Sequence, residues 1–364
     1  MVEDSDELLM TPGPTAVPPG VREAMSRAPL NPDVQAEFSP FYRDVLDKLA
    51  AVHGTDDDPL ILSGEGMLGL EASVASLVEE GEEVLCLANG LFGAGFSDFA
   101  AMHGGEAVVH DAPHDEGFDP EAVKSVVENH DFAVATMVHC ETPTGLLNDF
   151  GEILELLQDE GILTIVDAVS SLGGAPVPTE HIDVCLGASQ KCFSSPPGLT
   201  TLSVSDRAWE KVEATDQTTF YTSLEPWRDV EIPEEEPPHL PYTHAVSNLY
   251  ALDASLDRLL DEGLESVYDR HEEVADYCRQ RGRDLGLEPF PADESLCSPT
   301  VTAFRVEGRA KDLRKRLEAN HGIVTATGLG ERADDILRVG HMGYNADRER
   351  VEETMDALAD VMNR

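Results

Sequence analysis

Between residues 59 and 205 the chain alternates short apolar runs with stretches whose apolar positions recur every three to four residues. PLILSG (59–64), EEVLCLAN (82–89), EAVVHD (106–111), FAVATMVHC (132–140), LTIVDAV (163–169), DVCLGAS (183–189) and LTTLSVS (199–205) read as strands. LGLEASVASLVEEG (68–81) and FGEILELLQDEG (150–161) have helical spacing and close on a glycine suited to a helix C-terminus. Nearly continuous apolar strands separated by helices predict an α/β fold with a mostly parallel sheet covered on both faces.

The texture changes near residue 206. Residues 215–247 are rich in proline and acid, have no clear period, and predict an extended loop. A long helical pattern follows over 247–263 and continues over 265–286. Strand-like PTVTAFRV (299–306), helix-like RAKDLRKRLEANHG (309–322), strand-like ILRVGHMG (336–343) and an amphipathic helix at 346–363 complete the chain. The expected division is an N-terminal arm (1–16), a large domain (17–262) and a smaller α+β domain (263–364).

Composition narrows the function. With 364 residues and 41% hydrophobic content, the chain can bury a large core. Its 71 acidic residues against 25 basic ones, a formal charge of -46, argue against nucleic-acid binding, which requires the opposite excess. The acids are spread along the sequence, with no run longer than three residues, as at Glu234-Glu235-Glu236, and lysines number only six. That pattern suggests an acidic surface adapted to a salt-rich cytoplasm, where screening removes the self-repulsion. Six cysteines without CxxC spacing read as small buried hydrophobes in a reduced compartment, and the histidines show no metal-ligand spacing. The acidic start and the lack of a long apolar stretch predict a soluble, cytoplasmic protein without membrane attachment.

Against this background one lysine stands out. Lys48, Lys124, Lys211, Lys311 and Lys315 lie in polar helical segments, whereas Lys191 directly follows an apolar strand in GASQKCFSSPPG (187–198). Two other strands end in reactive loops: LTIVDAVSSLGG brings Asp167, and HCETPTG brings Thr142 and Thr144. Ligands of open α/β sheets bind at such strand ends. An Asp–Lys pair there can be a plain structural ion pair, but SGEGMLGLEA (63–72) adds a glycine-rich turn before a helix, the arrangement that receives a phosphate. A phosphate site, a carboxylate, hydroxyls and a lysine answer the four binding needs of pyridoxal phosphate.

With MTPGPTAVPPGV (10–21), ANGLFG (88–93), YTHAVSNLYAL (242–252) and LRVGHMGYN (337–345), these segments run in order along nearly the whole chain. The sequence resembles the class V (fold type I) pyridoxal-phosphate aminotransferases, of the alanine-glyoxylate and serine-pyruvate type. The resemblance implies that Lys191 joins the cofactor and then shuttles the substrate proton, and that Asp167 pairs with the ring nitrogen. It implies a hydroxyl contact from Thr142, ring packing by Val169 and Phe92, and a phosphate cradle of Glu65, Gly66, Met67 and Gln190. Phe92 stands where the family often has tryptophan, and Met67 where some relatives have histidine. Arg338 is implied to grip the substrate carboxylate. Thr243 is implied to reach the phosphate in a neighbouring subunit, making a homodimer with shared sites. The tyrosine expected three residues earlier is replaced by Leu240, with Tyr242 nearby. His139 and Cys192 are read as structural.

The expected reaction moves an amino group from alanine or serine to glyoxylate or pyruvate. Alternatives are a relative acting on aspartate, 2-aminoethylphosphonate, phosphoserine or ureidoglycine, or a non-catalytic sensor of pyridoxal phosphate. Aspartate or a phosphonate would want a second cation, for which Arg22, Arg27 and Arg43 are candidates.

Overall fold

The computed structural model describes residues 7–363; the first six residues of the predicted arm lie outside the described residues. All seven apolar runs form strands of one sheet: β1 (Leu60–Leu62), β2 (Glu83–Ala88), β3 (Glu106–Asp111), β4 (Phe132–Val138), β5 (Leu163–Asp167), β6 (Val184–Ala188) and β7 (Thr200–Val204). Their spatial order is β1-β7-β6-β5-β4-β2-β3, with only β7 antiparallel to its neighbours. β5 and β6 are buried along their whole length, which is why their sequences are apolar rather than alternating, whereas edge strand β3 has no buried residue.

Two apolar layers cover the sheet. Phe38–His53, Gly151–Asp159 and Val246–Glu262 pack on one face through Phe38, Leu49, Leu154 and Leu256. Gly66–Leu77 and Asp206–Ala214 pack on the other through Leu70, Leu77, Ala208 and Val212. Residues 215–245 form an irregular loop with one short turn of helix at Glu225–Trp227, as their proline and acid content predicts, and the last two residues of the predicted loop already belong to helix Val246–Glu262. The helical pattern beyond 246 is interrupted: one helix ends at Glu262, Gly263 adopts φ 83°, and a second runs over Leu264–Asp284. Glycine enters this left-handed region without the Cβ clash other residues meet.

The C-terminal part builds a second sheet. β8 (Val301–Arg305) and β9 (Ala326–Thr327) flank β10 (Ile336–Gly340), both antiparallel to it. The N-terminal arm joins this region: Leu8–Leu9 pairs in parallel with Ile323–Val324, and Gly340 N donates to Met10 O at 2.8 Å. A Cβ on Gly340 would lie 2.3 Å from the Thr11–Pro12 backbone, so close passage of the arm over β10 depends on that glycine. Among the described residues no helix is long and apolar enough to cross a membrane.

Candidate active site

The carboxyl ends of β4, β5 and β6 and the start of helix Gly66–Leu77 enclose a cavity of about 350 Å³. Of the predicted site residues, Glu65, Gly66, Met67, Phe92, Thr142, Asp167, Val169, Gln190 and Lys191 line it. Residues separated by more than a hundred positions meet there because each strand of a parallel sheet delivers its following loop to the same edge.

Lys191 leaves β6 through a tight loop in which Ser194 N donates to Lys191 O and Ser195 N to Ser189 O, each at 2.9 Å. Its Nζ donates to Pro12 O at 2.7 Å. A Cβ on Gly13 would stand 2.4 Å from Lys191 Cδ, so the lysine tail and the arm pass within a distance only glycine permits. Burial pulls the ammonium pKa down, with Arg338 acting in the same direction and Asp167 opposing them. The result favours a lysine that gives up its proton more readily than an exposed one.

Asp167 ends β5 and is buried, with Oδ1 accepting from Val169 N at 2.8 Å. Burial pushes its carboxyl up to about 6, against the Val169 amide and Lys191. A cation placed against this carboxylate would relieve that cost. Thr142 is buried with its hydroxyl bonded to Ser170, another wall residue. Helix Gly66–Leu77 has no side-chain cap, so its leading amides keep their donor capacity, and Gln190 Oε1 is buried without a partner.

Arg338 comes from β10 and is not itself among the wall residues of the cavity, but it touches the wall at Thr142. Its Nε donates to Thr327 O at 2.7 Å and its Nη1 to Thr142 O at 3.3 Å. It is buried and meets no carboxylate among the described residues, and burial alone lowers its pKa to about 10. Thr243 stands apart: it is exposed, does not line the cavity of its own chain, and donates to Asp33 Oδ2 at 3.2 Å. Tyr242 stacks on Tyr221 with ring centroids 4.8 Å apart. None of Arg22, Arg27 and Arg43 belongs to the cavity wall; Arg43 bonds Asp58, and Arg27 lies over the Tyr250 ring.

His139 is buried and bonded through Nδ1 to Ser171 Oγ at 2.8 Å, with burial depressing its pKa to about 4, as suits a neutral scaffold histidine. Cys192 is likewise buried, and burial raises its thiol pKa. No cluster of metal-ligating side chains occurs among the described residues.

Sequence reading passed over three contributors. Glu141 is fully buried, and its carboxyl accepts from Gly93 N at 2.6 Å and Phe92 N at 3.3 Å, anchoring the helix that carries Phe92. Burial pushes it up to about 7, with the two amides opposing. The acid inside HCETPTG carries no local mark of that role, since its partners lie 48 and 49 positions away. Ser170, in the loop after Asp167, supports Thr142. The arm supplies Pro12, Gly13 and Pro14 around Lys191, a placement that no local pattern reveals.

Comparison with known proteins gives this architecture its class. The crystal structure of pyridoxamine-pyruvate aminotransferase from Mesorhizobium loti matches with a TM-score of 0.94 and 34% identity, covering 100% of this chain and 94% of that one. The fold is therefore that of the fold-type I pyridoxal-phosphate transferases. Residues 31–350 match the family model Aminotransferase class-V, and the chain belongs to that family of transaminases. An uncharacterized aminotransferase of Methanocaldococcus jannaschii is 37% identical over 94% of this chain and 89% of its own length. Alanine–glyoxylate aminotransferase of Oryctolagus cuniculus is 32% identical over 98% and 92%.

Proposed function

We propose that the protein binds pyridoxal phosphate in this cavity and moves an amino group from alanine or serine to glyoxylate or pyruvate. The observation that carries the reading is Arg338: a buried guanidinium with no carboxylate partner is costly unless an anion arrives, and small amino and oxo acids both bring one. A non-catalytic sensor would have no use for that arginine. The aspartate and phosphonate readings want a further cation beside Arg338, and the candidates Arg22, Arg27 and Arg43 do not line the cavity.

The cavity fits the cofactor's chemistry. Uncapped amides at Gly66 and Met67 mark an anion-receiving end, Asp167 offers an anion deep in the wall, and Phe92 and Val169 supply apolar surfaces. Thr142 offers a hydroxyl. Pyridoxal phosphate, when bound, supplies the electron sink that makes a substrate Cα–H acidic. Lys191 takes that proton at Nζ and returns it during the transfer, a role its lowered pKa favours. Asp167 holds positive charge at the far end of the cavity, and Arg338 orients the substrate by two-point contact with its carboxylate.

Arg338→Lys is expected to raise KM for amino donor and oxo-acid acceptor alike, by about tenfold or more, because one ammonium cannot reproduce a planar two-point grip. Steady-state kinetics on each substrate test this; an effect on one substrate alone would assign the arginine to a side chain instead.

Glu65 favours a second reading. It is exposed and lines the cavity at the N-cap of the uncapped helix, which brings a negative charge to the end where a phosphate would be received. A vitamer without phosphate would avoid that repulsion, and with the likeness to pyridoxamine-pyruvate aminotransferase this makes pyridoxamine a candidate donor and pyruvate its acceptor. A donor panel of alanine, serine, aspartate and pyridoxamine, each offered with glyoxylate and with pyruvate in molar KCl, decides between them. No transfer from any donor would overturn both.

The working unit in this proposal is a homodimer in a salt-rich cytoplasm, with Thr243 reaching the partner's site. Val34, Phe220 and Tyr221 are exposed by 70%, 56% and 58%; Val34 follows Thr243's partner Asp33, and Tyr221 stacks on Tyr242, so an apolar patch surrounds Thr243 for a second copy to cover. The charge of -46 makes association costly where the screening length is long. That length is ~3 Å at 1 M salt and ~30 Å at 0.01 M. Diluting KCl from molar to millimolar is expected to lower dimer content, cofactor occupancy and activity together, as read by sedimentation and absorbance on the same samples. An active dimer in dilute buffer would refute the salt requirement, and an active monomer the shared site.

A further inference from the structure

The segment Tyr242-Thr243-His244 grips the turn that leads into helix Gly66–Leu77. The Tyr242 hydroxyl accepts from Ser63 N at 3.2 Å, and His244 Nδ1 lies 3.1 Å from Ser63 Oγ. On its other side His244 Nε2 lies 3.1 Å from the Tyr42 hydroxyl, which belongs to helix Phe38–His53. His244 and Tyr42 are buried, and the imidazole sits 5.3 Å from the Tyr42 ring and 5.5 Å from that of Trp227.

Hydrogen-bond accounting gives this chain of contacts a direction. Burial raises the pKa of Tyr42 far enough that its phenol keeps its proton at any working pH. Its hydroxyl bonds only His244 Nε2 among the described residues, and an unsatisfied buried O–H costs about 1–3 kcal/mol. The phenol therefore donates to Nε2. The ring is neutral, since burial depresses its pKa to about 4, so its one proton sits on Nδ1 and is donated to Ser63 Oγ. Ser63 is thus held at both its amide and its hydroxyl, two residues before Glu65 and three before Gly66.

We propose that His244 is a positioning residue for the anion-receiving turn: with Tyr242 it clamps Ser63, and through Ser63 it sets where the Gly66 and Met67 amides present themselves to a phosphate. The clamp rests on the reading of the cavity as a pyridoxal-phosphate site. It also makes the exposed Thr243, lying between the two gripping residues, a point from which a neighbouring subunit can act on the cradle. A purely structural histidine would support every ligand of the cavity equally; a cradle-positioning one supports the phosphate selectively.

The full-length protein, freed of cofactor and kept in molar KCl, is titrated with pyridoxal phosphate and, separately, with pyridoxal. Quenching of tryptophan emission reports binding, since Trp227 packs on His244 and the chain's other tryptophan is Trp209. Ser63→Ala and His244→Phe are expected to weaken pyridoxal phosphate by about tenfold, the worth of one well-placed hydrogen bond, while changing pyridoxal less than about twofold. Ser63→Ala keeps the packing and serves if His244→Phe does not fold; its thermal midpoint is measured alongside. Equal weakening of both ligands, or unchanged binding of both, would overturn the proposal. A wild-type chain that binds neither ligand, or prefers pyridoxal, would instead overturn the phosphate-site reading on which it rests.

Discussion

A Lys191→Ala chain is expected to fold, to bind pyridoxal phosphate without a covalent link, and to lose transamination by at least about a thousandfold. The loss is large because one side chain serves as both covalent anchor and proton carrier. Folding should survive because Lys191 is only one of the ties holding its surroundings. The arm remains fixed by Thr15 N on Gln190 O at 3.0 Å, by Gly340 N on Met10 O at 2.8 Å, and by its ladder with Ile323–Val324. The loop keeps the contact of Tyr344 N with Ser194 Oγ at 2.7 Å. Turnover and equilibrium dialysis on one preparation test both halves. More than a trace of activity without added amine would remove Lys191 from its role.

Asp167→Asn should separate stability from function. In the cofactor-free wild type, burial raises this carboxyl from its ordinary 3.8 to about 6. A raised acid pKa means that the folded state holds its proton longer than the unfolded state, so stability falls as pH climbs from about 4 through 6. Above that window the ionised group costs on the order of 3 kcal/mol. Asparagine carries no charge and keeps an oxygen for the Val169 amide, so the cofactor-free variant should melt at or above the wild-type temperature at pH 7 and show a flatter profile between pH 4 and 6. Its turnover should fall by about a hundredfold or more, because positive charge at that end of the cavity loses its anion. Normal turnover with full cofactor occupancy would reduce Asp167 to a structural acid.

The two predictions differ in how their residues became visible. Lys191 and Asp167 could be found along the chain because each breaks a local rule: an acid ends a wholly apolar strand, and a lysine follows one. Glycine before helix Gly66–Leu77 likewise announces a place where backbone amides are free. Arg338 came from the family resemblance, and burial without a carboxylate among the described residues gives its place in the fold a meaning. Glu141 shows the opposite case. Its carboxylate serves amides 48 and 49 positions away, so the acid in HCETPTG reads locally as an ordinary loop residue. His244 was equally opaque, since its partners Tyr42 and Ser63 lie 202 and 181 positions distant.

The sequence by itself determined the seven strands and the mostly parallel sheet, and its family resemblance pointed to residues that line the cavity. The strands follow from burial on both sheet faces, and Lys191, Asp167 and Thr142 from residue chemistry at strand ends, both of which leave local marks. Only the tertiary structure decided what supports the site: the arm passing over Lys191, the buried acid behind Phe92, and the grip on Ser63. These depend on closures between distant segments, where a hydrogen bond or a missing Cβ matters only once packing has brought its partner within about 3 Å.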